Sequence, residues 1–232
     1  MSKPFKPDPR GTERGEATRQ KLLTAAIDVF GRTGFDGTTT RALATAAGVN
    51  QQAIPYYFGG KEGLYLAAAE HLAGRITSHV GQLRQQLQGR LIEAERSGKP
   101  LSPAEARELL AQLVQTMAAV LVSTESEAWA RFLIREQMEP TEAFQRVYGG
   151  AMRPTLMVAR RLVAVVLGDD PDSEHVRLRT LSLVGGVMVF RVAHAAVLAQ
   201  MDWPEIGPPQ AEKISAMARE LVATLTKPGV AS

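Results

Sequence analysis

A pair of glutamines and a pair of tyrosines carry the most telling chemistry in this sequence. Between Thr38 and Leu64, the residues Gln51, Gln52, Pro55 and Tyr56 share one face of a short helical segment. The opposite face carries Ile54 and Phe58, one turn apart and suited to burial. Outward-facing amides and phenols suit base edges and phosphates better than they suit a core. The elements that must position them can also be read. An upstream helix runs from a threonine cap, Thr39 or Thr40, through Leu43, Ala44 and Ala47, which form a single apolar face. Gly48 ends it, Val49 turns inward and Asn50 can cap the next helix. This is a helix-turn-helix, with residues 51–57 as its recognition helix. Pro55 removes a backbone bond and crowds the preceding turn, so that helix is expected to be kinked or partly 3₁₀.

Composition sets limits on what surrounds the motif. With 232 residues the chain exceeds a bare DNA-binding module and has room for one or two domains. Cysteine is absent, which excludes disulfides and thiolate metal sites and is compatible with a reducing cytosol. The N-terminus has charge but no apolar stretch, so it does not read as a signal peptide. No apolar run reaches the roughly 18 residues that span a bilayer; residues 181–199 come closest and are interrupted by Arg191 and His194. The net charge of +3 is unevenly placed. Residues 1–63 carry nine Lys and Arg against six acids, whereas the remainder carries 18 of each sign. A polyanion partner at the N-terminal end fits this asymmetry.

Residues 18–72 resemble the DNA-binding domain of the TetR family of bacterial transcriptional regulators. The resemblance rests on an ordered set: Phe30, Gly34-Phe35, the threonine run, Ala47-Gly48-Val49, Tyr56-Tyr57-Phe58, then Lys61-Glu62 and Leu64. It implies roles for individual residues. Lys61, with the helix N-terminus it opens, would meet phosphate. Tyr56 and Tyr57 fall where the family commonly places phosphate-contacting groups. Thr39, Thr40 and Arg41 would lie near the flanking backbone. Gln51 and Gln52 would read bases, since a glutamine amide can pair with adenine N7 and N6. Pro55 departs from the family pattern, which usually has tyrosine there.

Elsewhere the periodicity is helical throughout. An arm over residues 1–13 is expected to be mobile, followed by the DNA-binding domain over 14–72 and a helical body over 73–227. A long helix from Lys61 to about Arg96 is expected, then one opened by Ser102-Pro103 with Glu105 and running to about Val122. Further helices are expected over about 125–139, 141–167 (bent at Gly149-Gly150 or Pro154), 173–200 and 210–226. The fold class is all-α.

The body resembles the CecR-like branch of the same family, on residues 58–65, Ile134-Arg135-Glu136-Gln137 with Pro140-Thr141 and Phe144, and the stretch around Leu181–Gly185 and Phe190-Arg191. That resemblance implies a homodimer built on the last two helices, with Gly185, Gly186 and Ala196 permitting close approach and Met188, Val192, Leu221 and Leu225 filling the seam. It also implies an effector pocket. Trp129, Phe132, Phe144, Tyr148, Met152 and Phe190, with Glu136 and His194 as embedded polar groups, suit a mostly apolar small molecule. The expected protein is thus a ligand-responsive regulator, most simply a repressor, binding a near-palindromic duplex. Two rivals stand beside it: a DNA-binding regulator without ligand control, and an all-helical enzyme. The four histidines have no metal spacing and no phosphate loop or nucleophile elbow appears, so no cofactor or catalytic residue is assigned.

Overall fold

The computed structural model describes residues 9–226. Eleven α-helices and one π-helical turn account for most of them, in the order α1 (Pro9–Thr33), α2 (Thr40–Ala47), α3 (Ala53–Phe58), α4 (Lys61–Arg96), α5 (Pro103–Val122), α6 (Thr124–Met138), α7 (Glu142–Val147), α8 (Arg153–Leu167), α9 (Glu174–Val192), α10 (His194–Met201) and α11 (Pro208–Ala223). The π-helical turn, Tyr148–Met152, contains Gly149-Gly150 and interrupts the single helix expected over 141–167. α1 begins at Pro9, inside the arm expected over residues 1–13; the rest of that arm, and residue 227, lie outside the described residues. The single helix expected over 173–200 is two, meeting at Ala193 with an 80° bend.

The helix boundaries follow from local chemistry. Ser102 accepts from the Glu105 backbone N–H while the Glu105 carboxylate accepts from Ser102, with Pro103 in the first turn of α5. Gly168 ends α8 at φ +64°, a conformation that costs a side-chain-bearing residue steric strain. Ser173 then caps α9 by accepting from Val176 N.

The chain folds as two compact units. The first comprises the chain to Ala73 together with Arg131–Val147, and the second Gly74–Ala130 with the chain from Tyr148 onward. The sequence expectation placed all of 73–227 in one body; the last half of α6 and α7 instead belong with the N-terminal helices. In the first unit, Leu22, Leu23, Ala26 and Phe30 of α1 are buried with Leu43, Ile54, Leu64 and Leu72. Full burial of each such leucine or phenylalanine contributes about 1.5–3 kcal/mol. The crossing of α1 and α6 is close because of Gly31, where a Cβ would lie 3.0 Å from the Phe132 backbone nitrogen. In the second unit, α5 packs against α8, α9 and α11 through Leu110, Leu113, Val114, Leu162, Val187, Ile214, Ala218 and Val222.

Candidate DNA-binding surface

The head is set from the loop upward. Thr39 caps α2, its Oγ1 accepting from Ala42 N at 3.1 Å, and Gly48 closes that helix at φ +63°. Asn50 Oδ1 then accepts from Gln52 N at 2.9 Å. α3 starts later than the sequence suggests, at Ala53, after Ala53 N and Ile54 N have bonded three residues back to Asn50 and Gln51. Pro55 therefore falls in the first turn, where its missing N–H deprives no carbonyl of a partner. The expected kink is avoided and the 3₁₀-like entry retained. Ile54 is buried, whereas Phe58 is only half-buried, with the Arg19 guanidinium 5.7 Å from its ring centroid.

The outward face carries the residues expected there. Gln51, Gln52, Arg41 and Thr39 are exposed, Thr40 is half-buried, and Tyr56 is 80% exposed. Tyr57 is half-buried and meets the Tyr56 ring edge-on at 4.8 Å between centroids. Gln51 Nε2 donates to Thr40 Oγ1 at 2.9 Å, joining the start of α2 to the turn before α3 on the exposed side.

Lys61 differs from expectation. Its Nζ donates to the carbonyls of Phe35 and Thr38, at 2.9 and 3.0 Å, and sits 4.2 Å from the centroid of the Phe35 ring. An ammonium with two of its three donors on backbone oxygens is a clamp on the α1–α2 loop rather than a freely presented phosphate ligand. Gly63, in the first turn of α4, is held against the Phe58 carbonyl; a Cβ there would come within 1.9 Å of that oxygen. No side chain larger than hydrogen fits.

Glu136 and Phe132, expected in an effector pocket, are both buried in the first unit. Glu136 is 2% exposed; it accepts from the Tyr65 hydroxyl, from Thr141 N at 3.1 Å and from Thr141 Oγ1 at 2.9 Å. Burial, and then the bond and charge of Glu136, push the Tyr65 phenol well above its ordinary value. The Tyr65 ring packs between Phe30 at 4.7 Å and Phe132 at 5.1 Å, and meets Phe35 at 5.2 Å. Sequence reasoning missed Tyr65 altogether, because its partner lies 71 positions away. Phe144 is half-buried in the same unit.

The other expected pocket residues, Trp129, Tyr148, Met152, Phe190 and His194, belong to the second unit. Two cavities of about 340 and 310 Å³ lie within the first unit, and Glu136 is the one expected pocket residue that lines either of them. In the second unit, Trp129 is 5% exposed and its Nε1–H meets no acceptor, and neither does the buried Nδ1 of His194. Arg191 donates to the carbonyls of Leu121 and Ser123, at 2.6 and 2.8 Å, and burial lowers its pKa.

The expected dimer residues divide in two. Gly185 and Val192 are exposed and share a stripe on α9 with Leu178, Leu181 and Val189, while Ala196 is exposed on α10 beyond the bend. Met188 is half-buried. Leu225 is 4% exposed and belongs to the core of its own unit, and Gly186 faces Leu221, whose Cδ1 would lie 2.9 Å from an added Cβ.

A capped helix-turn-helix presenting amides, phenols and an arginine on an all-helical scaffold defines a DNA-binding transcriptional regulator. Comparisons with known proteins make the class specific. Residues 22–68 match the TetR family of bacterial regulatory proteins, and residues 106–227 match the C-terminal domain of the HTH-type transcriptional dual regulator CecR. The chain is 32% identical over 210 residues to CecR of Shigella flexneri, covering 90% of this chain and 91% of that one. A transcriptional repressor of Pseudomonas putida, NicS, is 35% identical over 75 residues, 32% of this chain and 35% of its own. In fold, the chain resembles the Bacillus subtilis regulator FadR, solved with stearoyl-CoA, at a TM-score of 0.56 and 16% identity over 88% of this chain and 97% of that one. The chain belongs to the TetR family of transcriptional regulators, with a C-terminal domain of the CecR type.

Proposed function

We propose that this regulator binds a near-palindromic operator as a homodimer, represses from it, and is released by a small, mostly apolar effector. The observation that carries the dimeric part is the exposed apolar stripe of α9, Leu178, Leu181, Val189 and Val192, each more than 40% exposed. A row of this kind on one helix face suits burial against a second copy through twofold symmetry. Two heads related in that way read two half-sites about one DNA turn or slightly more apart. Within each head, Gln51 and Gln52 address base edges, and Thr39, Arg41, Tyr56 and Tyr57 address the backbone.

Effector control draws support from the second unit. The buried Trp129 indole N–H and the buried Nδ1 of His194 lack partners among the described residues, and an unmade buried hydrogen bond costs about 1–3 kcal/mol. A bound molecule with one acceptor group would remove that cost. FadR, of similar fold, is solved with stearoyl-CoA, whose long acyl chain is apolar, and that part of the ligand fits a mostly apolar effector here. Among the described residues no single helix is long and apolar enough to cross a membrane; the proposed site of action is the cytoplasm. Selection of bound duplexes from sheared genomic DNA, followed by a screen of the products of the neighbouring genes as releasing ligands, tests the reading. Recovery of inverted-repeat sites and a releasing compound supports it; direct-repeat or featureless sites contradict it.

A further inference from the structure

We propose that Thr40 is a positioning residue that decides which base Gln51 reads, favouring adenine over guanine. The proposal rests on the reading of Gln51 as a base-facing residue. A glutamine amide offers two N–H donors and one carbonyl acceptor. In this structure Gln51 Nε2 donates to Thr40 Oγ1 at 2.9 Å, so one donor is already committed. One N–H and the Oε1 acceptor remain for the groove. Adenine presents an acceptor, N7, beside a donor, the N6 amino group, and matches that remainder. Guanine presents two acceptors, N7 and O6, and would need the donor that Thr40 holds.

The backbone that carries this hydroxyl is anchored by its neighbours. Three consecutive threonines have three different tasks. The Thr38 carbonyl accepts from Lys61 Nζ at 3.0 Å, and its Oγ1 lies 2.6 Å from Thr33 Oγ1. Thr39 Oγ1 caps α2 through Ala42 N at 3.1 Å. Thr40 opens α2, with its hydroxyl accepting from Gln51 in the turn before α3. The backbone at Thr40 cannot shift without disturbing the cap behind it or the lysine clamp one residue further back. Gln51 is exposed, so in free protein this bond forms at the rim of the reading face. An amide oriented before DNA arrives loses less freedom on binding, and its bias survives into the complex.

The test uses the full-length protein, a preferred duplex selected from a randomised pool, and single-position variants of that duplex. Thr40→Val keeps the β-branched shape and removes the hydroxyl; Thr40→Ala repeats the deletion with a better helix former, and Thr40→Ser restores the hydroxyl. Both deletions are expected to reduce the adenine-over-guanine preference at one position per half-site by at least about fivefold, the lower end of what a bidentate contact confers. Preferences elsewhere and the salt dependence of binding stay unchanged, and Thr40→Ser recovers the wild-type profile. Gln51→Ala loses preference at the same position. The proposal is overturned if Thr40→Val and Thr40→Ala keep the wild-type profile while Gln51→Ala alters it. It is equally overturned if they lose affinity on all duplexes alike with a shallower salt dependence, which marks Thr40 as a phosphate contact. If Gln51→Ala changes no position, Gln51 is not a base reader and the inference falls while DNA binding stands. If the wild-type protein enriches no sequence at all, the regulator reading itself fails.

Discussion

Replacing Lys61 with methionine separates two physical roles that the sequence could not distinguish. Methionine keeps an unbranched stem beside Phe35 but deletes the ammonium. The structure shows what is lost: donors to the Phe35 and Thr38 carbonyls, at 2.9 and 3.0 Å, and a cation 4.2 Å from an aromatic centroid. A hydrogen bond to a charged group contributes about 1.5–3 kcal/mol when well shielded. Lys61 is half-exposed, so each bond belongs at or below the lower end of that range. The ring contact adds about 0.5–1 kcal/mol. These contributions share one ammonium and do not add fully, giving an expected loss of about 2–3 kcal/mol. Urea denaturation reads this as a lower midpoint at unchanged m-value. DNA titrations at several salt concentrations supply the second axis. Each phosphate contact removed should flatten the slope of log K against log salt by about 0.9. A clamp predicts lower stability with the slope preserved. Undiminished stability with a slope flattened by about 0.9 per subunit would refute the clamp and restore the phosphate role.

Three further outcomes follow from the same geometry. Tyr65 is raised above its ordinary value, chiefly by burial and next by Glu136, so the folded state holds the phenolic proton more tightly than the unfolded one. Its contribution is complete below the ordinary tyrosine value of about 10 and is lost as pH rises above it; Tyr65→Phe should lower stability at neutral pH and remove that part of the alkaline dependence, and an unchanged alkaline profile in urea titrations would count against the Tyr65–Glu136 bond. Gly63→Ala places a methyl group within 1.9 Å of the Phe58 oxygen and should cost at least about 2 kcal/mol and abolish DNA binding. Gly74→Ala on the same helix meets nothing within 4 Å and should be neutral or gain up to about 1 kcal/mol, so equal calorimetric effects would contradict the packing at Gly63. Val192→Glu should leave the folded chain intact but dissociate the dimer in sedimentation, whereas Leu225→Glu, at a 4% exposed site, should unfold the second unit; an undisturbed Val192→Glu dimer would move the interface elsewhere.

The parts legible in the sequence are those written in short-range signals. Thr39 as a cap, Gly48 as a left-handed stop and the Ser102-Pro103-Glu105 box all act within a few residues of themselves, and so they fixed the helix boundaries and the motif. The family match over residues 22–68 draws on the same local grammar. What stayed hidden depends on partners distant along the chain. Glu136 looks like a polar group embedded in an apolar pocket until Tyr65, 71 positions away, is seen to satisfy it. Phe132 resembles pocket lining for the same reason, yet packs on Tyr65. Lys61 reads as a phosphate ligand because sequence shows a cation at a helix start and cannot show two carbonyls 23 and 26 residues upstream. Leu225 and Val192 both sit at apolar positions, and periodicity alone cannot tell a residue that covers its own core from one that waits for another chain.

The central claim is that two copies of this head read a duplex in sequence-specific fashion. Its most direct test is selection of bound sequences from a randomised duplex pool by the full-length protein at physiological salt, with the mass of the recovered complex measured. The account predicts an enriched inverted repeat with half-sites about one helical turn or slightly more apart, an even number of chains per duplex, and loss of that enrichment in Gln51→Ala. Binding that is equally tight on every sequence, or a single chain on an unrepeated site, would contradict it.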